Sequence, residues 1–353
     1  MKSKSIAITA LLVFSMLFFC CKNNQNSSGK SITNIKIKLD SLLDTKKAAD
    51  TIAVKKELQK LIESDDEHEV LMTTDYYFKL GDTLNMNAVD KIAAKRFPKG
   101  IQARLLVYQK GFDIESISEQ EKNYDAFLKQ FPIAEFDLND RNIYNLYLYN
   151  MAIKHIDKNQ LKEAEEKINR CIEEPFVALT YYNFSGALYN SKHINSAITY
   201  IEKSINAAKK VLKEGKLDGQ NKQVIINILN DGLNFHAIML YDQKKYAEAI
   251  PYFEEYQKRI TFFDIEAASK HANALLAIGN KVAAYTILEK TVKTNHASKA
   301  EFDLFKSLFL EVKGNQADFK AYQIELEKEL QLVLKDEVAK SIIKEKAPDF
   351  TLI

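Results

Sequence analysis

Turn-forming residues are scarce in this chain, with 10 glycines and 5 prolines in 353 residues. Both are well under average usage. A sheet-rich domain needs many tight turns, and glycine and proline supply the backbone angles for most of them. The shortage argues against a sandwich or barrel and for an almost wholly helical chain. Tryptophan is absent, but 20 Phe and 17 Tyr provide large packing groups. Of three cysteines, Cys20 and Cys21 stand side by side near the start, which leaves Cys171. One cysteine excludes an internal disulfide and a Cys-x-x-Cys redox pair in the remainder. The run Ile168-Cys171-Ile172 suits a small packing hydrophobe. Charge of one sign is also missing. The formal net charge is +2, and the first 20 residues carry Lys2 and Lys4 and no acid, so the rest is balanced. A neutral, mixed surface argues against broad nucleic-acid binding. There is no glycine-rich phosphate loop, no H-E-x-x-H and no G-x-S-x-G. No catalytic residue, cofactor or metal site is assigned.

The chain opens Met1-Lys2-Ser3-Lys4, and an apolar stretch runs from Ile6 to Phe19. It is too short to span a bilayer as a mature helix and reads as a signal segment. It ends Leu17-Phe18-Phe19-Cys20-Cys21-Lys22, which resembles the signal of bacterial lipoproteins, where cleavage falls just before a cysteine that takes lipid on sulfur. That resemblance wants a small residue before the modified one, which favours Cys21, with Cys20 as runner-up. Phe18 and Phe19 depart from the usual small or aliphatic box, and an ordinary secretory signal is the alternative. Residues 21–30 are polar and without apolar periodicity, as a flexible tether would be. The Lys22-Asn23-Asn24 run is similar to the start of mature lipoproteins of Bacteroidetes-type bacteria. The implied location is the cell envelope, with the outer membrane favoured.

Alanines recur at Ala164, Ala197, Ala249 and Ala284, at spacings of 33, 52 and 35. A period near 34 with a small residue at one fixed place marks a helix-turn-helix array. The pattern resembles the tetratricopeptide repeat, with small residues at positions 8, 20 and 27 and larger apolar ones at 4, 7, 11 and 24. Leu233, Ala237, Leu240, Tyr246, Ala249 and Phe253 fall in register, with Tyr256 where position 27 is usually small. Pro251 is expected in the first turn of its helix. Leu148, Met151, Ala152, Ala164, Ile168 and Cys171 form an earlier unit that Pro175 closes. Phe184, Ser185, Leu188, Ala197, Ile201 and Ser204 form the next. The excess in the 52-residue spacing is assigned to a lengthened helix, a loop near Gly215 and Gly219, and a second lengthened helix. Gly314 repeats Gly279, but Phe319 replaces the expected alanine, as in a degenerate terminal unit. Phe97-Pro98 and Phe131-Pro132, 34 residues apart, suggest two divergent units upstream. Ile35, Leu39, Leu42 and Leu43, then Ile52, Val54, Leu58, Leu61 and Ile62, suggest further helices.

The resemblance implies an all-α fold, a right-handed α-solenoid of tetratricopeptide-like helix-turn-helix repeats. Divergent repeats are expected over 31–139, and a clearer array with a terminal cap over 140–340. It also implies a concave face lined by positions 2, 5, 9, 12 and 13 of each first helix. Carried over, these give Tyr149, Ile153, Tyr182, Tyr189, Asn190, Asn234, Ile238, Tyr241, Asp242 and Asn273. Tyr149, Tyr182, Tyr189, Asn190, Asn234, Tyr241 and Asn273 are the candidate partner-binding residues. Rings can cover apolar side chains while amides meet a peptide backbone. The expected role is a non-catalytic scaffold for a protein or peptide partner. His236 and His271, both at position 7, are weighed as a metal or pH-sensing pair and read instead as buried packing groups. The acidic run Asp65-Asp66-Glu67-His68-Glu69 lacks the spacing of a calcium loop and reads as a connection between helices.

Residues 341–353 hold Ala347-Pro348-Asp349-Phe350-Thr351-Leu352, which resembles the opening of redoxin domains. That resemblance implies an alternative role, the helical half of a split or truncated thiol-disulfide oxidoreductase. A glycan-uptake lipoprotein of the outer membrane is a further alternative, which the lack of tryptophan platforms disfavours.

Overall fold

The computed structural model describes residues 28–44, 48–112, 114–215, 217, 219–294 and 296–341. The apolar stretch Ile6 to Phe19, Cys20, Cys21 and the string at 347–352 lie outside the described residues. Among the described residues the chain is all-α, with sixteen helices and two short 3-10 turns. In chain order the helices pair as α1 (Ser28–Asp44) with α2 (Ala48–Ile62), α3 (Glu67–Lys79) with α4 (Thr83–Arg96), and α5 (Ile101–Phe112) with α6 (Ile117–Gln130). Next come α7 (Asn142–Asp157) with α8 (Leu161–Ile168), and α9 (Val177–Asn190) with α10 (Ile194–Glu214). The series ends with α11 (Gly219–Asp242) and α12 (Tyr246–Arg259), α13 (Ile265–Ala277) and α14 (Lys281–Val292), and α15 (Lys299–Val312) and α16 (Gln316–Ser341). The first helix already includes Ser28–Lys30, which the sequence assigned to the tether. The chain divides into two compact units, Met1–Leu229 and Asn230–Ile353.

A tetratricopeptide-like register is visible in the turns. Gly81, Asn159, Lys192, Lys244 and Gly279 all have φ between 58° and 83°. Each closes the first helix of its hairpin with the same bonds. The Asn159 N–H reaches the Ile156 carbonyl at 2.8 Å and the Gln160 N–H reaches His155 at 2.9 Å. Lys192 and His193 repeat this with Tyr189 and Leu188, Lys244 and Lys245 with Tyr241 and Leu240, and Gly279 and Asn280 with Leu276 and Leu275. This left-handed termination satisfies helix-end carbonyls and reverses the chain. From Asn159 onward the turns are spaced 33, 52 and 35 residues apart, as the alanines are.

The small residues do what the register requires. Ala164, Ala197, Ala249 and Ala284 are fully buried, as are Ala152, Ser185, Ser204, Ala237 and Ala272. Where serine stands in, its hydroxyl is satisfied on the facing helix: Ser185 donates to the Ala197 carbonyl at 2.7 Å and Ser204 to Ala178 at 2.6 Å. A buried polar group must be paired in this way, or it costs about 1–3 kcal/mol. Over α5–α7 large rings replace small residues. Tyr147 lies 4.8 Å from Tyr108, 5.3 Å from Tyr124 and 4.9 Å from Phe127. These are the divergent upstream hairpins, and Phe97 and Phe131 cap α4 and α6 as their spacing suggested. In the terminal hairpin Phe319 is buried against Phe302, Phe305 and Phe309, filling the space an alanine would leave. The long connection in the 52-residue spacing is a 21-residue α10 followed by a 24-residue α11.

Polar ties within the first unit repeat at about one hairpin's length. The Arg96 guanidinium donates to the Ser64 carbonyl at 2.8 Å and the Glu63 carbonyl at 3.2 Å, covering the end of α2. The Glu67 carboxylate accepts from the N–H groups of Ile101 at 2.8 Å and Gln102 at 3.0 Å, which open α5. Buried Arg104 donates to the Asp140 carbonyl at 2.6 Å, with its guanidinium 4.0 Å from the Phe136 ring. Each supplies what a helix end or loop backbone lacks.

Three expectations are corrected. Helix α8 stops at Ile168, well short of Pro175, so Cys171 follows the helix rather than lying in it. The cause is Asn145, whose side chain is bonded to both backbone groups of Ile172, at 2.8 and 2.9 Å, and so takes over the pairing a helix would have made. Pro251 lies in the second turn of α12, because that helix begins at Tyr246. Its missing N–H leaves the Ala247 carbonyl without its helical donor, and its exposed position spares the core. Ile52 does not join the core: it is 70% exposed, while Val54 and Leu58 are buried.

Candidate functional site

The candidate residues do not share one fate. Tyr149 is 7% exposed and therefore does not line an open face. Its helix α7 packs against α5, α6, α8 and α9, which leaves that ring little access to solvent. Burial also pushes the Tyr149 hydroxyl up to about 12. Ile153, one turn on, is half-buried.

In α9 the candidate residues are less deeply buried. Tyr182 and Tyr189 are half-buried and Asn190 is exposed. Tyr182 and Tyr189 stand seven residues apart, about two turns, on one side of the helix. The opposite side carries Phe184, Ser185 and Leu188, all buried against α10 and α7. Leu179, Asn183 and Gly186 share the side of Tyr182 and Tyr189 and are half-buried. Sequence reasoning missed these three. No acidic or basic residue occurs anywhere in Val177–Asn190, although charged residues make up 28% of the chain. That blank in the charge pattern was readable in the sequence.

In the second unit, Asn234 and Tyr241 lie seven residues apart on α11 and both are half-buried. The Tyr241 ring meets Tyr246 edge-on at 5.3 Å, so it also helps close its hairpin. The Asn234 side-chain carbonyl is itself buried. Asn273 is exposed on α13.

The histidines are packing groups. The His236 ring lies 4.1 Å from Tyr252, and His271 stacks on Phe253 at 5.6 Å with Nδ1 3.3 Å from Gln257 Oε1. Burial pushes each imidazole down to about 4. Among the described residues no group of three or more His, Cys, Asp or Glu could hold a metal ion. The acidic run is committed to helix ends: Asp66 caps α3 at the His68 N–H, 2.9 Å, and Glu67 caps α5.

One buried polar cluster was not foreseen. The Glu174 carboxylate accepts from the Phe176 N–H at 2.5 Å and from the Asn145 amide at 3.2 Å. Burial pushes it up to about 7 despite both donors. Nearby Cys171 is half-buried, and burial pushes its thiol up to about 12, which keeps it protonated and unreactive.

No protein-family model matches the chain, and no curated protein matches it. Among solved structures, the type IV pilus biogenesis factor PilW is similar at 14% identity and a TM-score of 0.40, over 70% of this chain and 99% of that one. Pseudomonas aeruginosa PilF is similar at 14% identity and a TM-score of 0.38, over 68% and 96%. The quorum sensor NprR of B. thuringiensis is similar at 16% identity and a TM-score of 0.33, over 85% and 91%. These likenesses are too loose to argue from.

Proposed function

We propose that this chain is a non-catalytic, lipid-anchored scaffold that holds a protein or peptide partner at the bacterial cell envelope. The observation that supports the reading is α9, a helix without charge on which Tyr182 and Tyr189 are half-buried and Asn190 is exposed. Uncharged surface is cheap to desolvate. Tyrosine brings a large contact area with one polar tip, and side-chain amides can pair with the N–H and C=O groups of an extended segment. Among the described residues no helix is long and apolar enough to cross a membrane. The anchor is assigned, from the segment at 17–22 and its resemblance to lipoprotein signals, to lipid on Cys21, with Cys20 as runner-up, and the outer membrane is the favoured location. The string at 347–352 supports a second reading, an accessory half of a thiol-disulfide oxidoreductase.

Cross-linking in intact envelopes tests the first reading. A discrete partner is expected with the native chain and is lost with Tyr182→Ala plus Tyr189→Ala. An unchanged partner in that double variant overturns the α9 assignment. Metabolic labelling with a fatty-acid analogue tests the anchor: label that persists in Cys21→Ala and disappears in Cys20→Ala moves it to the runner-up.

A further inference from the structure

Asp75 breaks a rule that the acids around it keep. Glu67 accepts from two backbone N–H groups, Asp82 from the Lys55 ammonium at 2.9 Å and Asp90 from the Thr74 hydroxyl at 3.2 Å. The Asp75 carboxylate, half-buried in the third turn of α3, has no hydrogen bond and no ion pair among the described residues. Two cations act on it from a distance, Lys36 on α1 and Lys79 one turn on. The Lys79 ammonium is engaged elsewhere: it donates to Asp40 at 3.1 Å and lies 4.4 Å from the centre of the Tyr76 ring. Burial pushes the Asp75 carboxyl up to about 7 in spite of both cations. Withdrawing a charge from water without a partner is costly, and a native fold that keeps such a group calls for an explanation.

The surroundings give one. Leu71 and Phe78 stand one turn before and one turn after Asp75 on the same side of α3. Leu71 is half-buried and Phe78 is 70% exposed, while Thr73, Thr74, Tyr76 and Tyr77 are buried on the remaining sides. An unpaired carboxylate between an aliphatic side chain and an exposed ring has a definite complement, a cation on an apolar stem. We infer that Leu71, Asp75 and Phe78 form a subsite for a basic side chain, lysine or arginine, of the protein or peptide partner. The cationic head meets the carboxylate, its methylenes lie along Leu71, and the Phe78 ring covers it from one side. Charge selects the occupant: a neutral or acidic residue leaves the carboxylate as poorly satisfied as before. The inference rests on the scaffold reading for the existence of a partner, and not on α9.

The test uses the full chain at pH 8 and capped hexapeptides with one central lysine or arginine, with matched sets carrying norleucine or glutamate there, read by fluorescence polarisation. The basic sets are expected to bind in preference to the others. Asp75→Asn is expected to weaken the best of them by about tenfold or more, the equivalent of about 1.4 kcal/mol. Phe78→Ala, at an exposed position, is expected to weaken it by about two- to fivefold. Asp75→Asn is also expected to raise Tm at pH 8, because an amide costs less to bury than a lone charge. A fall in Tm would show that the carboxylate is paired within the chain and would overturn the inference, as would failure of the basic sets to bind or equal binding by native and Asp75→Asn chains. If the envelope cross-link is lost in Tyr182→Ala plus Tyr189→Ala and kept in Asp75→Asn, the subsite is refuted while the scaffold reading stands. If it is lost in Asp75→Asn and kept in the tyrosine double variant, the subsite stands and the α9 assignment falls.

Discussion

The contact between Glu67 and Gly100 permits a prediction in which one substitution changes sign with its background. Glu67 reaches from α3 to the first two N–H groups of α5, at 2.8 and 3.0 Å. Hydrogen bonds to a charged acceptor contribute about 1.5–3 kcal/mol, and a carboxylate at a helix N-terminus adds about 0.3–1 kcal/mol. Burial opposes this, raising the Glu67 pKa in spite of both donors, so the net value is nearer about 1–2 kcal/mol. A β-carbon on Gly100 would fall inside that carboxylate. The φ of Gly100 is outside the left-handed region, so alanine is otherwise acceptable there. Gly100→Ala therefore displaces Glu67 and forfeits the cap. It regains about 0.4–1 kcal/mol because the unfolded chain is stiffer. The expected net loss is about 1 kcal/mol in the native background. With Glu67→Ala already present there is nothing to displace, and Gly100→Ala should stabilise by about 0.4–1 kcal/mol. Urea unfolding followed by far-UV circular dichroism, run as a double-mutant cycle at unchanged m-value, measures both. An equal effect of Gly100→Ala in the two backgrounds would show that the carboxylate does not occupy the space.

Lys244→Gly and Lys192→Gly should each raise stability by about 0.5–1 kcal/mol in the same assay: both lysines hold a φ of 60–68°, at a penalty of about 1–2 kcal/mol that glycine's extra entropy offsets only in part. Glu174 keeps a proton in the folded chain that the unfolded chain has shed between about pH 4.5 and 7, so its contribution is full below that window and lost as pH rises through it. Relative to Glu174→Gln, the native chain should lose about 3 kcal/mol between pH 4.5 and 8, and a pH-independent difference would contradict the buried carboxyl. His271 has the opposite sign: the unfolded chain takes up a proton near 6.5 and the folded one only near 4, so stability is full above 6.5 and lost on acidification. His271→Leu should flatten that acid loss, as followed by Tm from pH 7 to 4.

The hairpin register was legible because a small residue at a helix crossing has no substitute except another small residue. Ala164, Ala197, Ala249 and Ala284 therefore kept their spacing, and the turns followed it. Helix ends were less legible. The early stop of α8 depends on Asn145, which is distant in sequence and pairs with Ile172. No local pattern announces such a bond. Tyr149 failed because a register position says which way a side chain leaves its helix, not how many neighbours close over it. In α9 the same register picks Tyr182 and Tyr189, which are only half-buried. Gly186 was passed over because glycine inside a helix carries no periodic signal.

The recurrence of one turn geometry has a genetic consequence. Asn159 and Lys192 occupy equivalent points, 33 residues apart, with matching hydrogen bonds before and after. A deletion that joins Asn159 directly to His193 would splice the first helix of one pair to the second helix of the next without altering the corner between them. A tandem duplication with the same ends would insert a pair just as cleanly. Genes for such a chain can shorten or grow at these corners, whereas a deletion that joins non-equivalent positions would set the helices out of step.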